Sequence, residues 1–338
     1  SHEVRFQLEN SGARVVFCQD ILFDRIENSG APLEHVIVTG ITEYLSPLRR
    51  LAGRFFGAAR SAQIPQRNRV HRFQALLADA DSRPPKVKID PRIDIAALPY
   101  PGGTTGSPKG VVLTHFNLIA ATVAARSAFA SYQEGTEVIM AFLPFFHIYG
   151  QVVIMLNGLV QGHALVLFTA PDTEAILEAV EKYRVSVFYG VPTLYEYLKD
   201  HKDTNKVDWK RLKLILSGAD TLHESTVRHW NRRTGSSICE GYGLSETCAI
   251  SHINPTNRTK TGSFGVPVTN VMAAVIDPET CACVLAGQTG ELVLAGPNVM
   301  QGYWNNPQET AKAFIEVDGV RWLRTGDIVR MDDEGYFH

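Results

Sequence analysis

Ala164-Leu-Val-Leu-Phe-Thr-Ala-Pro-Asp-Thr-Glu-Ala-Ile-Leu-Glu-Ala-Val-Glu-Lys-Tyr-Arg-Val-Ser-Val-Phe-Tyr-Gly190 is the stretch that decides the architecture. Its two ends, Ala164–Phe168 and Val185–Tyr189, are short apolar runs of the kind found in buried strands. Between them Thr173–Tyr183 has a helical pattern, with Asp172 placed as its N-cap. Strand, helix, strand in this order predicts a parallel sheet covered by helices, because parallel strands need a crossover. The rhythm extends outward: Val36–Val38, Glu137–Phe142 and Leu212–Leu216 read as further buried strands. Thr114–Ala130, Thr193–Asp200 and Glu224–Arg233 read as helices. After Ser263, turn signals crowd together at Asp277-Pro278, Ala286-Gly287, Thr289-Gly290 and Gly296-Pro297. They separate short alternating runs such as Glu291–Ala295, the pattern of a small β-rich lobe. The expected fold is α/β, with an α/β region over residues 1–262 and a β-rich subdomain over 263–338.

At 338 residues the chain can form one large or two ordinary domains. A formal charge of −2 gives no global bias toward nucleic acid. The charge is unevenly spread. From Tyr44 to Arg72 there are seven arginines (Arg49, Arg50, Arg54, Arg60, Arg67, Arg69 and Arg72) and no acid, which leaves the remainder acidic. Leu48, Leu51, Phe55 and Ala59 fall at helical spacing there. Residues 45–72 are therefore either a surface helix in peripheral contact with anionic lipid headgroups or an insertion packed on its own domain. The five cysteines (Cys18, Cys239, Cys248, Cys281 and Cys283) read as reduced, structural thiols of a cytoplasmic protein. Cys281-Ala-Cys283 has the wrong spacing for a zinc knuckle or a redox pair. The start is not leader-like, and no apolar run reaches the ~18–20 residues of a membrane span.

The chemistry is concentrated in Tyr100-Pro-Gly-Gly-Thr-Thr-Gly-Ser-Pro-Lys-Gly110, which follows an apolar lead-in at Ile95–Leu98. Glycines let backbone N–H groups approach phosphate oxygens, hydroxyls add neutral donors, and Lys109 adds a mobile positive charge. A flexible surface turn is the plainer alternative. The run is not a Walker loop, because proline precedes Lys109. Four companions follow: Pro144-Phe-Phe-His-Ile-Tyr-Gly150, Leu216-Ser-Gly-Ala-Asp220, Glu240-Gly-Tyr-Gly-Leu-Ser-Glu-Thr247 and Thr325-Gly-Asp327. Taken singly each is ambiguous: a histidine among aromatics is commonly packed, and Ser-Gly or Thr-Gly-Asp commonly marks a turn.

Together and in this order, these motifs resemble the large N-terminal domain of adenylate-forming enzymes. That superfamily comprises acyl-CoA synthetases, peptide-synthetase adenylation domains and firefly-type luciferases. The resemblance covers essentially the whole chain. It implies stacked α/β subdomains with mainly parallel sheets and a distorted-barrel, β-rich lobe. It further implies that Gly102, Gly103, Thr104, Thr105, Gly106 and Lys109 hold the β- and γ-phosphates of ATP. Tyr242, between Gly241 and Gly243, stacks on adenine, while Ser217, Gly218 and Ala219 leave room beside nucleotide and acyl chain. Ser245 bonds the α-phosphate, Glu246 ligates Mg²⁺, Asp327 accepts from both ribose hydroxyls, and His147 sits at the mouth of the acyl pocket. Lys109, His147, Ser245 and Glu246 are the residues assigned to catalysis. The implied reaction joins a carboxylic acid to AMP with release of pyrophosphate, then passes the acyl group to coenzyme A.

The runs 240–246 and Gly296-Pro-Asn-Val-Met-Gln-Gly-Tyr-Trp304 look most like fatty acyl-CoA ligases acting on medium or long chains. The 144–150 motif is shared with aryl-acid ligases, so an aromatic or alicyclic acid is the alternative. A nucleotide-binding protein without catalysis is the rival from another class. A phosphotransferase needs a Walker lysine or a catalytic-loop base, and neither is present. Two positions depart from the family pattern. Pro101 replaces a hydroxyl residue and offers neither hydroxyl nor N–H, an expectation of weaker Mg²⁺ or ATP affinity. Asp220 stands where proline is frequent. Family members also carry a further N-terminal segment and a C-terminal lid bearing a lysine. The expectation is therefore of a fragment that binds nucleotide but hardly turns over, since lid closure assembles the reaction.

Overall fold

The computed structural model describes residues 2–46, 48, 62–102, 108–129, 132–168 and 172–338. Gly103, Thr104, Thr105 and Gly106 lie outside the described residues, as do Arg49, Arg50, Arg54 and Arg60. The chain divides into two compact units, residues 1–89 and 90–338.

The first unit has three parallel strands in the order β1 (Val15–Gln19), β2 (His35–Thr39), β3 (Val70–Arg72). Helices α1 (His2–Ser11), α2 (Phe23–Glu27) and α3 (Phe73–Asp79) accompany them. Val36 and Val38 alternate into a small core with Cys18, Phe23, Ala31 and Leu33. Arg67 and Arg69 both pair with Glu27, and Arg72 lies 3.9 Å from Glu43. Acids of their own unit thus hold these three arginines of the basic stretch.

In the second unit, β4 (Ile95–Ala97) pairs with β5 (Val111–Thr114). Thr114 caps α4 (His115–Ala128) in a capping box with Asn117. Beyond it come β6 (Val138–Ala141), a π-helix at Tyr149–Leu156, α5 (Asn157–Val160) and β7 (Ala164–Leu167). Next are α6 (Thr173–Lys182), β8 (Val187–Gly190), α7 (Pro192–Leu198), β9 (Leu214–Ser217), α8 (Glu224–Thr234) and β10 (Cys239–Tyr242). Asp172 does cap α6, its carboxylate accepting from Ala175 N at 2.8 Å. Strands β7, β6, β8, β9 and β10 lie side by side and parallel. The crossover read from residues 164–190 therefore passes over β6.

Alternation puts successive side chains on opposite faces of this sheet. Ile139, Ala141, Val187, Tyr189, Leu214 and Leu216 join a core with α4 and the π-helix. Met140, Phe188 and Ile215 join a second core with α6, α7 and α8 around Trp209 and Trp230. Two short strands not anticipated from sequence, β11 (His252–Ile253) and β12 (Val266–Pro267), add an antiparallel edge beside β10. The β-rich segment forms an antiparallel sheet in the order β13 (Met272–Ile276), β14 (Thr289–Ala295), β17 (Val320–Arg330), β16 (Phe314–Val317). Strand β15 (Gly302–Tyr303) instead pairs with β5, placing Tyr303 opposite Val111, and leads into α9 (Pro307–Ala313).

Candidate active site

In open parallel sheets, ligands collect at the carboxyl ends of the strands, where loops diverge. The segments that follow β6, β9 and β10 in this chain meet at a cavity of about 470 Å³. Among the residues singled out from sequence, Gly102, Lys109, His147, Gly218, Ala219, Gly241, Tyr242, Gly243, Ser245 and Glu246 line it. Pro101 lines it too. Two of the singled-out residues that the structure describes are not part of the lining. Ser217 is buried behind it with no hydrogen-bond partner on its hydroxyl among the described residues. Asp327 is exposed and accepts from the Tyr242 hydroxyl at 2.5 Å.

Several polar groups of the lining are linked to one another. Lys109 Nζ donates to Glu309 Oε2 and lies 5.1 Å from the centre of the Tyr303 ring. The Tyr303 hydroxyl donates to Glu246 Oε1 at 2.8 Å. Burial and the neighbouring Glu246 push the Tyr303 phenol above its ordinary value, so it remains a donor at neutral pH. Hydrogen bonds from Lys109 and then Lys312 lower the Glu309 carboxyl to about 2. Backbone pairing makes this possible: Trp304 N donates to Gly110 O at 2.7 Å, and Met300 N to Glu246 O at 2.8 Å. Tyr303 and Glu309 were not singled out from sequence, although 296–304 was quoted as a family-like run.

The loop after β10 is tightly wound. Leu244 N donates to Thr247 Oγ1 at 2.8 Å, and Asn298 Nδ2 donates to Thr247 O and Ile250 O at 3.0 and 2.7 Å. A side chain at Gly243 would put Cβ 2.2 Å from Ala249 O, so the turn requires glycine. Tyr242 packs against Phe264 with ring centres 4.8 Å apart. Burial, then Asp327, raise its phenol well above the usual range. Ala219 holds φ at +74°, a left-handed conformation that a non-glycine residue adopts at a cost.

The lining also has apolar members, among them Phe129, Ile148, Val153, Ile250 and Ile253. His147 precedes Ile148 in the lining. Its Nδ1 accepts from Tyr149 N at 3.2 Å, which in the neutral ring leaves the proton on Nε2 as a donor. Partial burial lowers its pKa, favouring that neutral form. Burial also fixes His252, which lines the cavity and packs on Phe264 and Phe337. Its pKa is pulled down to about 3. Below the ordinary histidine value the unfolded chain binds a proton that the folded ring refuses until about pH 3. This group's contribution to stability is thus whole above the ordinary histidine value and falls with acidification between there and about pH 3, by about 1.4 kcal/mol per pH unit. In thermal unfolding followed against pH, His252→Phe should remove that part of the acid slope. Identical slopes for the two proteins would contradict it.

Among the described residues, no group of three or more His, Cys, Asp and Glu forms a ready metal cage. Glu246 presents one carboxylate to the cavity, the donor type that a hard cation takes. No helix among the described residues is long and apolar enough to cross a membrane.

Residues 1–304 match the family described as AMP-binding enzyme. The chain is 33% identical along its whole length to a long-chain-fatty-acid–CoA ligase of Bacillus subtilis, covering 60% of that protein. Over 79% of its length it is 33% identical to a probable 4-coumarate–CoA ligase 1 of Dictyostelium discoideum, covering 48% of that protein. ATP-bound MatB from Rhodopseudomonas palustris superposes on all of the chain with a TM-score of 0.81 at 26% identity, 60% of that structure being covered. A long-chain-fatty-acid-CoA ligase, FadD1 from Archaeoglobus fulgidus, gives 0.78 at 25% identity, again over the whole chain and 64% of that structure. The chain thus spans about 60% of the length of the fatty-acid–CoA ligases it matches.

Proposed function

We propose, from the premise that this chain belongs to the AMP-binding enzyme family, that it is the nucleotide- and acyl-binding part of an acyl-CoA synthetase for medium- or long-chain fatty acids. The observation that carries this reading is one cavity whose lining combines Lys109, Ser245 and Glu246 with Phe129, Ile148, Val153, Ile250 and Ile253. A carboxylate and a nucleoside triphosphate can meet there with the hydrocarbon already out of water.

The reaction needs no protein nucleophile. The ionised carboxylate attacks the α-phosphorus, a new C–O–P linkage forms, and the bond to pyrophosphate breaks. Lys109 offsets charge on the β- and γ-phosphates, and the Ser245 hydroxyl donates to the α-phosphate. Tyr242 stacks on the base, and Asp327 releases the tyrosine hydroxyl to accept from the ribose. His147, neutral with its proton on Nε2, donates to the carboxylate. Glu246 holds Mg²⁺, which neutralises phosphate charge when bound; the Tyr303 hydroxyl keeps that carboxylate in place. Coenzyme A thiolate then attacks the acyl carbon and expels AMP, giving the thioester. Most of this rate comes from alignment and charge neutralisation.

The test is pyrophosphate–ATP exchange with the full-length protein across saturated acids of increasing length and a set of aromatic acids. Each methylene buried in the apolar end should raise kcat/KM about fourfold, the equivalent of roughly 0.8 kcal/mol, until that end is filled. Exchange confined to aromatic acids would overturn the fatty-acid reading. It would favour an aryl-acid ligase, the reading that similarity to a 4-coumarate–CoA ligase supports.

A further inference from the structure

Lys109 has an anionic partner within the chain. Its Nζ donates to Glu309 Oε2, while the other oxygen of the same carboxylate accepts from Lys312 Nζ at 2.7 Å. One glutamate therefore carries two ammonium groups. It is firmly placed: Glu309 N donates to the α9 N-cap Asn306 at 3.2 Å, and Tyr303 N donates to Thr310 Oγ1 at 2.9 Å, tying α9 to β15. The two lysines are not equivalent. Lys109 lines the cavity and is half-buried, whereas Lys312 is exposed and takes no part in the lining.

We propose that Glu309 is the resting counterion of Lys109, which the β- and γ-phosphates of an incoming nucleotide displace, and that Lys312 keeps Glu309 when Lys109 turns to them. The proposal rests on reading the cavity as a nucleotide site. Its physical basis is competition. A lysine cannot give its full charge to a phosphate while a carboxylate holds it, and a carboxylate left without a cation beside polyphosphate repels it. Lys312 removes the second difficulty by remaining as partner. Glu309 is thus a positioning residue, acting on nucleotide through Lys109.

Equilibrium binding of MgATP and of AMP to the 338-residue chain, measured by titration calorimetry, tests this. Glu309→Gln frees Lys109 and should tighten MgATP by about two- to fivefold, the ratio that corresponds to a partly exposed ion pair. Lys312→Gln leaves Glu309 with Lys109 alone and should weaken MgATP by a similar ratio. In the Glu309→Gln background that loss should vanish. AMP lacks the two outer phosphates, so its affinity should be the same in all four proteins. MgATP binding unchanged or weakened in Glu309→Gln, with AMP still bound, overturns the role of Glu309 alone. An unchanged Lys312→Gln overturns the role of Lys312. A wild-type chain that binds neither nucleotide overturns the reading of the cavity and the proposal with it.

Discussion

Lys109→Ala lowers acid-dependent pyrophosphate exchange by roughly 10²–10³-fold, the loss expected when one preorganised positive group is taken from a developing anion. Among the described residues, Lys109 is the one lysine or arginine in the cavity lining. Pyrophosphate leaves with more negative charge than it has while bonded to the α-phosphorus, so the deficit grows along the reaction and falls on kcat. The melting temperature should change little. Lys109 is partly exposed, and Glu309 keeps Lys312 as partner when the first lysine is gone. Exchange within threefold of wild type would remove Lys109 from the chemistry. Lost exchange with an equal loss of stability would make the lysine structural.

Gly243→Ala should be the most damaging single methyl in the 240–247 loop. The added Cβ meets only backbone: Ala249 O at 2.2 Å, Ala249 C at 2.4 Å and Ile250 N at 2.6 Å. No rotamer relieves such a contact, so the turn must open and carry Ser245 and Glu246 with it. Overpacking of this kind costs about 1–3 kcal/mol or more, and the displaced loop takes nucleotide binding with it. Gly102→Ala is the matched control, since a Cβ there meets no described atom within 4 Å. The expected pattern is a lower melting temperature and lost MgATP binding for Gly243→Ala, with a near-wild-type melting temperature for Gly102→Ala. A stable, nucleotide-binding Gly243→Ala would show that the turn can be rearranged without cost.

Much of the sheet is legible in the sequence because its strands are buried on both faces. Val187–Gly190 and Leu214–Ser217 stand out as apolar runs between helical patterns. The elements that escape sequence reading lack that contrast. His252–Ile253 and Val266–Pro267 are two-residue strands, too short for any period to register. Tyr149–Leu156 is apolar except for Gln151, so nothing in its pattern marks a π-helix; there Gly150 is forced, a Cβ falling 2.2 Å from Pro144 O.

The candidate site divides in the same way. Glycines, hydroxyls and charged groups that follow one another in the chain, as at 240–247, mark a loop that later lines the cavity. Glu309 meets Lys109 across 200 residues, and Tyr303 meets Glu246 across 57. Those meetings depend on β15 pairing with β5, a two-residue contact that no local pattern announces. The unpartnered Ser217 hydroxyl is equally silent in sequence, because Leu216-Ser-Gly-Ala shows a strand end and not which way it faces.

The central claim is that a carboxylate oxygen attacks the α-phosphorus in this cavity, and isotope transfer tests it directly. Supplying the full-length protein with a fatty acid labelled with ¹⁸O in both carboxylate oxygens, together with MgATP and coenzyme A, leaves one labelled oxygen bridging carbon and phosphorus in the adenylate. Attack of the thiolate on carbon then releases that oxygen with the phosphate. The account predicts AMP carrying one ¹⁸O and unlabelled pyrophosphate, measured by mass spectrometry. Unlabelled AMP, or ADP and phosphate in place of AMP and pyrophosphate, would contradict it.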